Sequence, residues 1–121
     1  MTTAGNPAAP GRRGARAETL AREYLERRGL RCLACNFRCR RGEIDLVMRD
    51  GEELVFVEVR YRRAGDWGDA AATVTRAKQR RIIAAANHYL HRYRLDCPCR
   101  IDVLAMDGDS IDWIVNAVES C

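Results

Sequence analysis

The stretch from Gly42 to Arg62, GEIDLVMRDGEELVFVEVRYR, constrains the fold of this chain more than any other. Residues 44–48 and 54–60 are mostly apolar and β-branched, which is typical of strands. Between them, an Asp-Gly dipeptide followed by two glutamates has the composition of a tight turn. The stretch therefore predicts a β-hairpin against which the rest of the chain must pack.

Two acids in this hairpin are candidates for a metal site. Because side chains alternate between the faces of a strand, one face of the second strand carries Leu54, Phe56, Glu58 and Arg60. A two- or four-residue loop places Asp45 on the face of Glu58, and the four-residue loop sets them directly opposite, with Cβ atoms roughly 4.5–5.5 Å apart. Two carboxylates so close repel each other, and a divalent cation such as Mg²⁺ would relieve that repulsion. Alternatively, the hairpin is only amphipathic with charges at a solvated rim, or a bulge or odd-length loop separates the acids.

Length and charge bound the class of protein. A chain of 121 residues forms a single domain with a real core. The formal net charge is +4, and Lys78 is the only lysine among 21 basic residues. Because arginine suits bidentate phosphate contacts, this composition points to a nucleic-acid partner. The sequence shows neither a secretory signal nor an apolar run of membrane-spanning length, so a cytoplasmic location without membrane contact is expected.

The N-terminal part is predicted to be a disordered tail followed by a helix. Residues 1–13 are small residues, Pro and Gly without periodicity, whereas residues 14–121 form the domain. Residues 14–28 follow helical spacing and end at Gly29, with a stripe of Ala17, Leu20, Ala21, Tyr24, Leu25 and Arg28. Glu18 borders this stripe and is either a functional acid or a carboxylate favoured at a helix start.

The segment before the hairpin is predicted to be a strand that ends in a cationic run. Residues 30–37 have strand composition, and Arg38, Arg40 and Arg41 follow directly. Such a run is usually a solvated face, but here it borders two acids, a mixture that suits a phosphodiester site. After the hairpin, residues 65–69 form a loop that either covers the mouth of a site or only connects elements.

A second helix is predicted over residues 76–92, with Thr75 as its N-cap. Its buried stripe comprises Ile82, Ala85, Ala86, Tyr89 and Tyr93. Its first turns carry Arg76, Lys78, Arg80 and Arg81, where the helix dipole disfavours cations. A bound phosphate would compensate, and so would neighbouring acids in the fold. His88 and His91 are interpreted as non-functional, and residues 100–106 and 110–115 are predicted to be a strand and a closing edge strand.

The six cysteines are predicted to be reduced thiols. Cys32, Cys35 and Cys39 could combine with Cys97 and Cys99 in a zinc site, but their spacings lack the two CxxC pairs of a zinc ribbon. Cys32 is interpreted as a small apolar core residue. Structural zinc is therefore not expected.

These positions together resemble the YraN-like family of small bacterial proteins. The resemblance rests on Glu18, GEIDL at 42–46, FVEVR at 56–60, Lys78 and RIDV at 100–103, and it runs from about residue 14 to 117. It implies an α/β restriction-endonuclease-like fold, with a mixed β-sheet flanked by two main helices. It also implies a site similar to those of PD-(D/E)XK nucleases and Holliday-junction resolvases, which often act as dimers, so a homodimer is expected by analogy alone.

The resemblance assigns roles to individual residues. Asp45 and Glu58 match the two metal-binding acids, and the Val59 carbonyl is a further ligand of the same Mg²⁺ or Mn²⁺. Glu18 matches the additional acid of resolvase-like members. Arg60 stands where the family usually has lysine, and because arginine stays protonated it can stabilise charge but cannot act as a base.

Three functional hypotheses follow. The first is a metal-dependent endonuclease that hydrolyses DNA phosphodiesters on branched or single-stranded substrates. In it, the catalytic group is Asp45, Glu58, Arg60 and Glu18, and the nucleic-acid-binding group is Arg40, Arg41, Arg62, Arg76, Lys78, Arg80 and Arg81. The second is a non-catalytic nucleic-acid-binding factor that retains the nuclease fold, an idea that Arg60 supports. The third is a protein-interaction module whose acids are structural.

Overall fold

The structure is a computed structural model, and it describes residues 12–62, 74–108 and 110–118. Of the side chains in these ranges, those of residues 12–15 and 62 are excepted. Most of the predicted disordered tail, the predicted loop at 65–69 and the C-terminal residues 119–121 therefore lie outside the described residues.

The described residues form two helices and five strands, and they confirm every helix and strand that the sequence predicts. In chain order they are α1 (Arg12–Arg27), β1 (Arg31–Cys39), β2 (Gly42–Asp50), β3 (Glu53–Arg62), α2 (Arg76–Arg92), β4 (Cys99–Asp107) and β5 (Ser110–Val118). The prediction was wrong about the start of α1, because Arg12 and Arg13 belong to the helix and not to the tail. In the described part of the chain, neither helix is long and apolar enough to cross a membrane.

The five strands form one mixed sheet in the order β1-β2-β3-β4-β5. Three of the neighbouring pairs are antiparallel, and β3 pairs with β4 in parallel. Parallel neighbours need a crossover, and α2 lies in the connection between these two strands. The same connection places the N-terminus of α2 near the end of β3, where the candidate acid Glu58 lies.

The two helices cover opposite faces of the sheet. Alternation along β3 directs Leu54 and Phe56 into a core shared with α2, and Val55 and Val57 into a core shared with α1. All four of these side chains are buried, as expected of a central strand covered on both faces. The predicted class, a mixed α/β sheet flanked by two helices, is therefore confirmed, and it is compatible with the restriction-endonuclease-like arrangement.

Three predicted stripe residues are exposed, and one of them, Arg28, lies just beyond the last residue of α1. Leu20 is 39% exposed, because α1 turns Ala17, Ala21 and Leu25 towards the sheet and leaves Leu20 beside this line. Tyr93 is 51% exposed, because it is the C-cap of α2 and no longer follows the helical spacing. Sequence periodicity thus predicted which face of each helix is buried, but it included residues at the edge of each face that are exposed.

A buried acid at the start of β4 is fully partnered within the fold. Asp102 is 0% exposed and accepts hydrogen bonds from Arg100 Nε at 3.1 Å, Trp113 Nε1 at 2.9 Å and the Asn116 backbone N–H at 2.8 Å. Arg100 also contacts Glu53 at 2.7 Å, which ties β4 to the hairpin turn. Because its oxygens already accept these bonds, Asp102 serves the structure rather than a ligand site.

Candidate metal-binding active site

The β2–β3 ladder ends where the candidate site begins. Asp50 pairs with Glu53 around a two-residue turn, and the register continues to Leu46 opposite Val57. The same register would set the next residue, Asp45, opposite Glu58. Here the ladder of backbone hydrogen bonds ends, and the side chain of Asp45 bonds to β3 in its place. Asp45 Oδ2 accepts the backbone N–H of Val59 at 2.8 Å.

Strand alternation also breaks at Asp45. Ile44 packs into the α2 core and Leu46 into the α1 core, although residues two apart normally share a face. The backbone is therefore irregular at the position where the acid leaves the ladder. The sequence left open a bulge that would place the two acids on opposite faces. The backbone is irregular here, yet Asp45 and Glu58 stay together.

The carboxyl groups of Asp45 and Glu58 share a hydrogen bond. Burial, and next the charge of Glu58, raise the pKa of Asp45 to about 8. The hydrogen bond from Val59 N–H favours the charged carboxylate but does not offset those two effects. Asp45 therefore holds a proton at neutral pH when no cation is present, as expected of two acids in one buried site.

Glu58 is 3% exposed and is neutralised by two cations from different elements. Lys78 Nζ lies 3.0 Å from Glu58 Oε2, and Arg60 Nη1 lies 3.6 Å from the same oxygen. Arg60 reaches it from two residues along β3, on the same face as predicted. Lys78 reaches it from the first turn of α2, which Thr75 fixes by accepting the Lys78 backbone N–H at 3.1 Å.

Glu18 lies near the pair but is held separately. It is half-buried, and burial raises its pKa, while a hydrogen bond from Asn36 opposes that change. The charges of Glu43 and Glu58 also reach it. Within the described residues, no three or more His, Cys, Asp or Glu side chains gather into a metal-binding group, so Glu18 stands beside the pair and not in it.

The donor set fits a hard divalent cation. Mg²⁺ is typically bound by one or two carboxylates together with water and substrate phosphates, and not by a cage of protein ligands. Asp45 and Glu58 supply the two carboxylates, and the Val59 carbonyl would be a backbone ligand. The proton on Asp45 and the ammonium group against Glu58 are the positive charges that such a cation would replace.

A basic cleft adjoins the acids. It encloses about 450 Å³, and its lining includes Arg40, Arg41, Arg81 and Lys78. Five arginines of the predicted nucleic-acid-binding group lie at the β1–β2 turn or on α2. They form no ion pair with any acid in the described ranges, and they are Arg40, Arg41, Arg76, Arg80 and Arg81. No acid that the structure describes neutralises these five charges, whereas the side chain of Arg62 lies outside what is described.

The acids, the basic cleft and Lys78 all fall within one family match. The model of the uncharacterised protein family UPF0102 matches residues 17–106. The chain belongs to the UPF0102 family. This confirms the YraN-like resemblance inferred from the sequence motifs.

UPF0102 proteins of several bacteria are similar to this chain over most of its length. One from Aeromonas hydrophila is 52% identical over 114 residues, which cover 92% of this chain and 87% of the relative. One from Herminiimonas arsenicoxydans is 50% identical over 107 residues, covering 88% and 86%. One from Dechloromonas aromatica is 52% identical over 105 residues, covering 87% of each chain. These names state no activity, so the function has to be argued from the site.

Two contacts in this UPF0102 site were not foreseen from the sequence. Lys78 was assigned to the nucleic-acid-binding group, but its ammonium group contacts Glu58. Asn36 was not singled out, but it adopts a left-handed conformation with φ 54° and orients Glu18 through a hydrogen bond. The available signals were that Lys78 is the only lysine and follows the N-cap by three residues, and that asparagine tolerates positive φ.

Gly42 sets the distance between the two walls of the basic cleft. A Cβ atom added at Gly42 would lie 2.3 Å from the backbone oxygen of Arg81. The start of β2 therefore lies directly against α2, at the helix turn after Lys78. No other residue type fits there without moving the helix.

We expect Gly42→Ala to lower the free energy of unfolding by about 2–3 kcal/mol, because overpacking against rigid backbone costs this much. The control is Gly51→Ala, where the new Cβ meets nothing within 4 Å and only the positive φ of 63° costs energy, about 1 kcal/mol. Urea unfolding of both variants measures the two losses. Equal losses would show that β2 and α2 are less tightly apposed than the structure indicates.

Proposed function

We propose that this UPF0102 protein is a metal-dependent DNA endonuclease. The observation that carries the proposal is the pair formed by half-buried Asp45 and buried Glu58, which is joined by a hydrogen bond and faced by Lys78 and Arg60. An acid with a raised pKa such as Asp45, beside a second carboxylate and cationic side chains, is characteristic of active sites, whereas a purely structural acid such as Asp102 is fully partnered within the fold.

Asp45, Glu58 and the Val59 carbonyl would hold Mg²⁺ or Mn²⁺. When bound, such an ion supplies Lewis acidity at the phosphate and makes bound water a better nucleophile. Loading the site requires Asp45 to release its proton, because ligand carboxylates must be deprotonated. A cation bound to Glu58 would neutralise part of the charge that Lys78 faces at 3.0 Å, so that the Lys78 ammonium group could turn towards the substrate.

Lys78 and Arg60 divide the work that one lysine would otherwise do. Arg60 presents a planar, permanently charged guanidinium that suits two phosphate oxygens at once. Lys78 presents three rotatable donors on a flexible stem, which can orient a water molecule and stabilise charge on the phosphate. Glu18, oriented by Asn36 and with its pKa raised by burial, is placed to accept a proton at the rim of the site.

The surrounding charge favours DNA as the substrate. The exposed arginines of the β1–β2 turn and of the first turns of α2 flank the acids on one side. Phosphate contacts by such side chains position a nucleic acid without reading its sequence. The N-terminus of α2 adds its partial positive charge at the same place.

The proposed compartment is the cytoplasm, where DNA and reduced thiols occur together. The five described cysteines form no disulfide with one another, and the sulfur atoms of Cys32 and Cys35 lie 3.7 Å apart. Free thiols of this kind persist where glutathione and thioredoxin keep them reduced.

The test is a cleavage assay on linear, single-stranded and four-way-junction DNA in Mn²⁺. The wild type is expected to cleave at least one substrate, and Asp45→Asn is expected to abolish cleavage because a neutral amide cannot replace a ligand carboxylate. Arg60→Lys, which restores the residue usual at this position, is expected to raise the rate. Wild-type protein that leaves every substrate intact would overturn the enzyme proposal.

A second candidate is a nucleic-acid-binding factor that no longer cleaves. It is favoured by the ion pairs that Lys78 and Arg60 form with Glu58, because they neutralise this carboxylate without a metal ion. It predicts DNA binding that survives chelation and no cleavage by the wild type in Mn²⁺. The third hypothesis, a protein-interaction module, predicts that any DNA binding lacks the steep salt dependence of phosphate contacts.

A further inference from the structure

An open groove runs along the outer side of α2, beside the turn between β1 and β2. It encloses about 710 Å³. Its floor is apolar, and its rim is formed by cationic, amide and imidazole side chains. The lining residues are Cys39, Arg40, Arg41, Arg80, Ile83, Ala84, Asn87, His88 and His91.

The helix side of this α2 groove is a single face of the helix. The α2 residues in the lining recur at the i, i+3, i+4, i+7, i+8 and i+11 spacing of one helical face. This face is separate from the buried one, which is made by Ile82, Ala85, Ala86 and Tyr89. The groove is therefore a continuous surface along about three turns of helix.

The groove carries positive charge that the described fold does not neutralise. Arg40, Arg41 and Arg80 are exposed, and none of them forms an ion pair within residues 12–62, 74–108 and 110–118. Asn87, His88 and His91 are also exposed and add hydrogen-bonding groups. A polyanion is the partner whose charge matches such a surface.

The α2 groove is continuous with the basic cleft at the acids. Both are lined by Cys39, Arg40 and Arg41, and the cleft also contains Lys78. His91 follows Lys78 by thirteen positions in α2, which corresponds to about 20 Å at 1.5 Å per residue. A duplex rises 3.4 Å per base pair, so this length matches about six base pairs.

We propose that the α2 groove binds the phosphate backbone of a duplex DNA arm that leads away from the cleavage site. This inference rests on the proposed function for the identity of the polyanion, and it adds the course and the length of the bound arm. Arg40 and Arg80 contact the backbone near the acids, and His88 and His91 contact it about four to five base pairs further along, since they lie about 12–16 Å beyond Arg80 on α2.

The groove suits a duplex better than a single strand. Single-strand sites combine a basic path with aromatic side chains on which unpaired bases stack. In the described part of the chain, the groove lining contains no Phe, Tyr or Trp. The ring of Phe37, whose centroid lies 6.0 Å from that of the His88 imidazole, is only 9% exposed. The surface therefore contacts backbone rather than bases.

The experiment measures binding of the full chain to fluorescein-labelled duplexes of 6, 10 and 20 base pairs, and to a 20-nucleotide single strand, by fluorescence anisotropy in EDTA. The double variant Arg40→Gln/Arg80→Gln removes the near contacts, and His88→Gln/His91→Gln removes the far ones. The control Arg27→Gln/Arg31→Gln removes the same charge as the first variant from exposed positions at the other end of β1, about 25 Å from Arg40.

For Arg40→Gln/Arg80→Gln we expect at least tenfold weaker duplex binding at 100 mM NaCl, and a slope of log K against log salt that is smaller by about 2. The control is expected to stay within twofold of wild type. His88→Gln/His91→Gln is expected to weaken binding of the 20-base-pair duplex at least twofold, because the contacts that it removes lie within the length of that duplex.

The proposal would be overturned if the arginine variant and its control weakened duplex binding equally. It would also be overturned if the wild type bound the single strand more tightly than the duplexes and the arginine variant lost that binding. Unchanged binding of the 20-base-pair duplex by the histidine variant would refute the proposed course of the arm. Because no cleavage occurs in EDTA, a negative result here leaves the nuclease proposal standing, and an inactive wild type leaves this proposal standing.

Discussion

Replacing Lys78 with Met is expected to lower kcat for DNA cleavage by about 100-fold or more, with little change in KM. Removal of one preorganised donor to a transition state typically costs a factor of 10²–10³ in rate. Methionine retains the apolar stem of lysine but has no charge and no N–H donors. Glu58 would then keep only Arg60, at 3.6 Å, as a cationic neighbour among the described contacts of its carboxylate.

Arg76→Gln is the matched control for this prediction. Arg76 is also a cation in the first turn of α2, but it is exposed and contacts neither candidate acid. Its loss is expected to raise KM a few-fold and leave kcat unchanged, as for a residue that only holds the DNA backbone. If Lys78→Met also changed KM alone, Lys78 would be a backbone contact, as the sequence interpretation first assigned it. Steady-state kinetics on the best-cleaved substrate separates the two roles.

The hairpin could be predicted from sequence because its signal is local. Alternating apolar residues, an Asp-Gly turn and a short loop fix the strands and their register, and the structure confirms the pairing as far as Leu46 and Val57. The break at Asp45 could not be predicted, because it depends on a carboxylate bonding to Val59, fourteen residues away. Periodicity describes regular backbone, and functional sites are often where the backbone stops being regular.

The ion-pair partners of the charged residues on α2 could not be predicted from the sequence either. The cationic start of α2 raised the question of what compensates it, and bound phosphate and neighbouring acids were both open answers. The structure gives Lys78 an acid partner and leaves Arg76, Arg80 and Arg81 without one among the described residues. Only the parallel crossover from β3 to β4 brings α2 to Glu58, and such long-range geometry leaves no trace in local composition.

Replacing Asp45 with Asn is expected to stabilise the metal-free protein at alkaline pH while abolishing metal binding. The pKa of Asp45 is raised from 3.8 to about 8 in the fold, so the folded protein binds this proton more tightly than the unfolded chain does. The stability that the proton contributes is complete below pH 4 and is lost as the pH rises through 8. Asparagine mimics the protonated acid at every pH, so the variant should gain on the wild type by about 2–4 kcal/mol between pH 5 and 8.

Urea unfolding in EDTA across this pH range measures the gain, and Glu52→Gln is the control. Glu52 is an exposed carboxylate in the hairpin turn, so its neutralisation should give a stability difference that does not widen with pH. Saturating Mn²⁺ at pH 8 should then stabilise the wild type and leave Asp45→Asn unchanged, because only a ligand-competent native state is favoured by the ion. A pH-independent gap between wild type and Asp45→Asn would mean that Asp45 is already charged and satisfied in the fold. A residue that weakens its own fold in the absence of a cation, and is stabilised by adding one, is better explained by function than by structure.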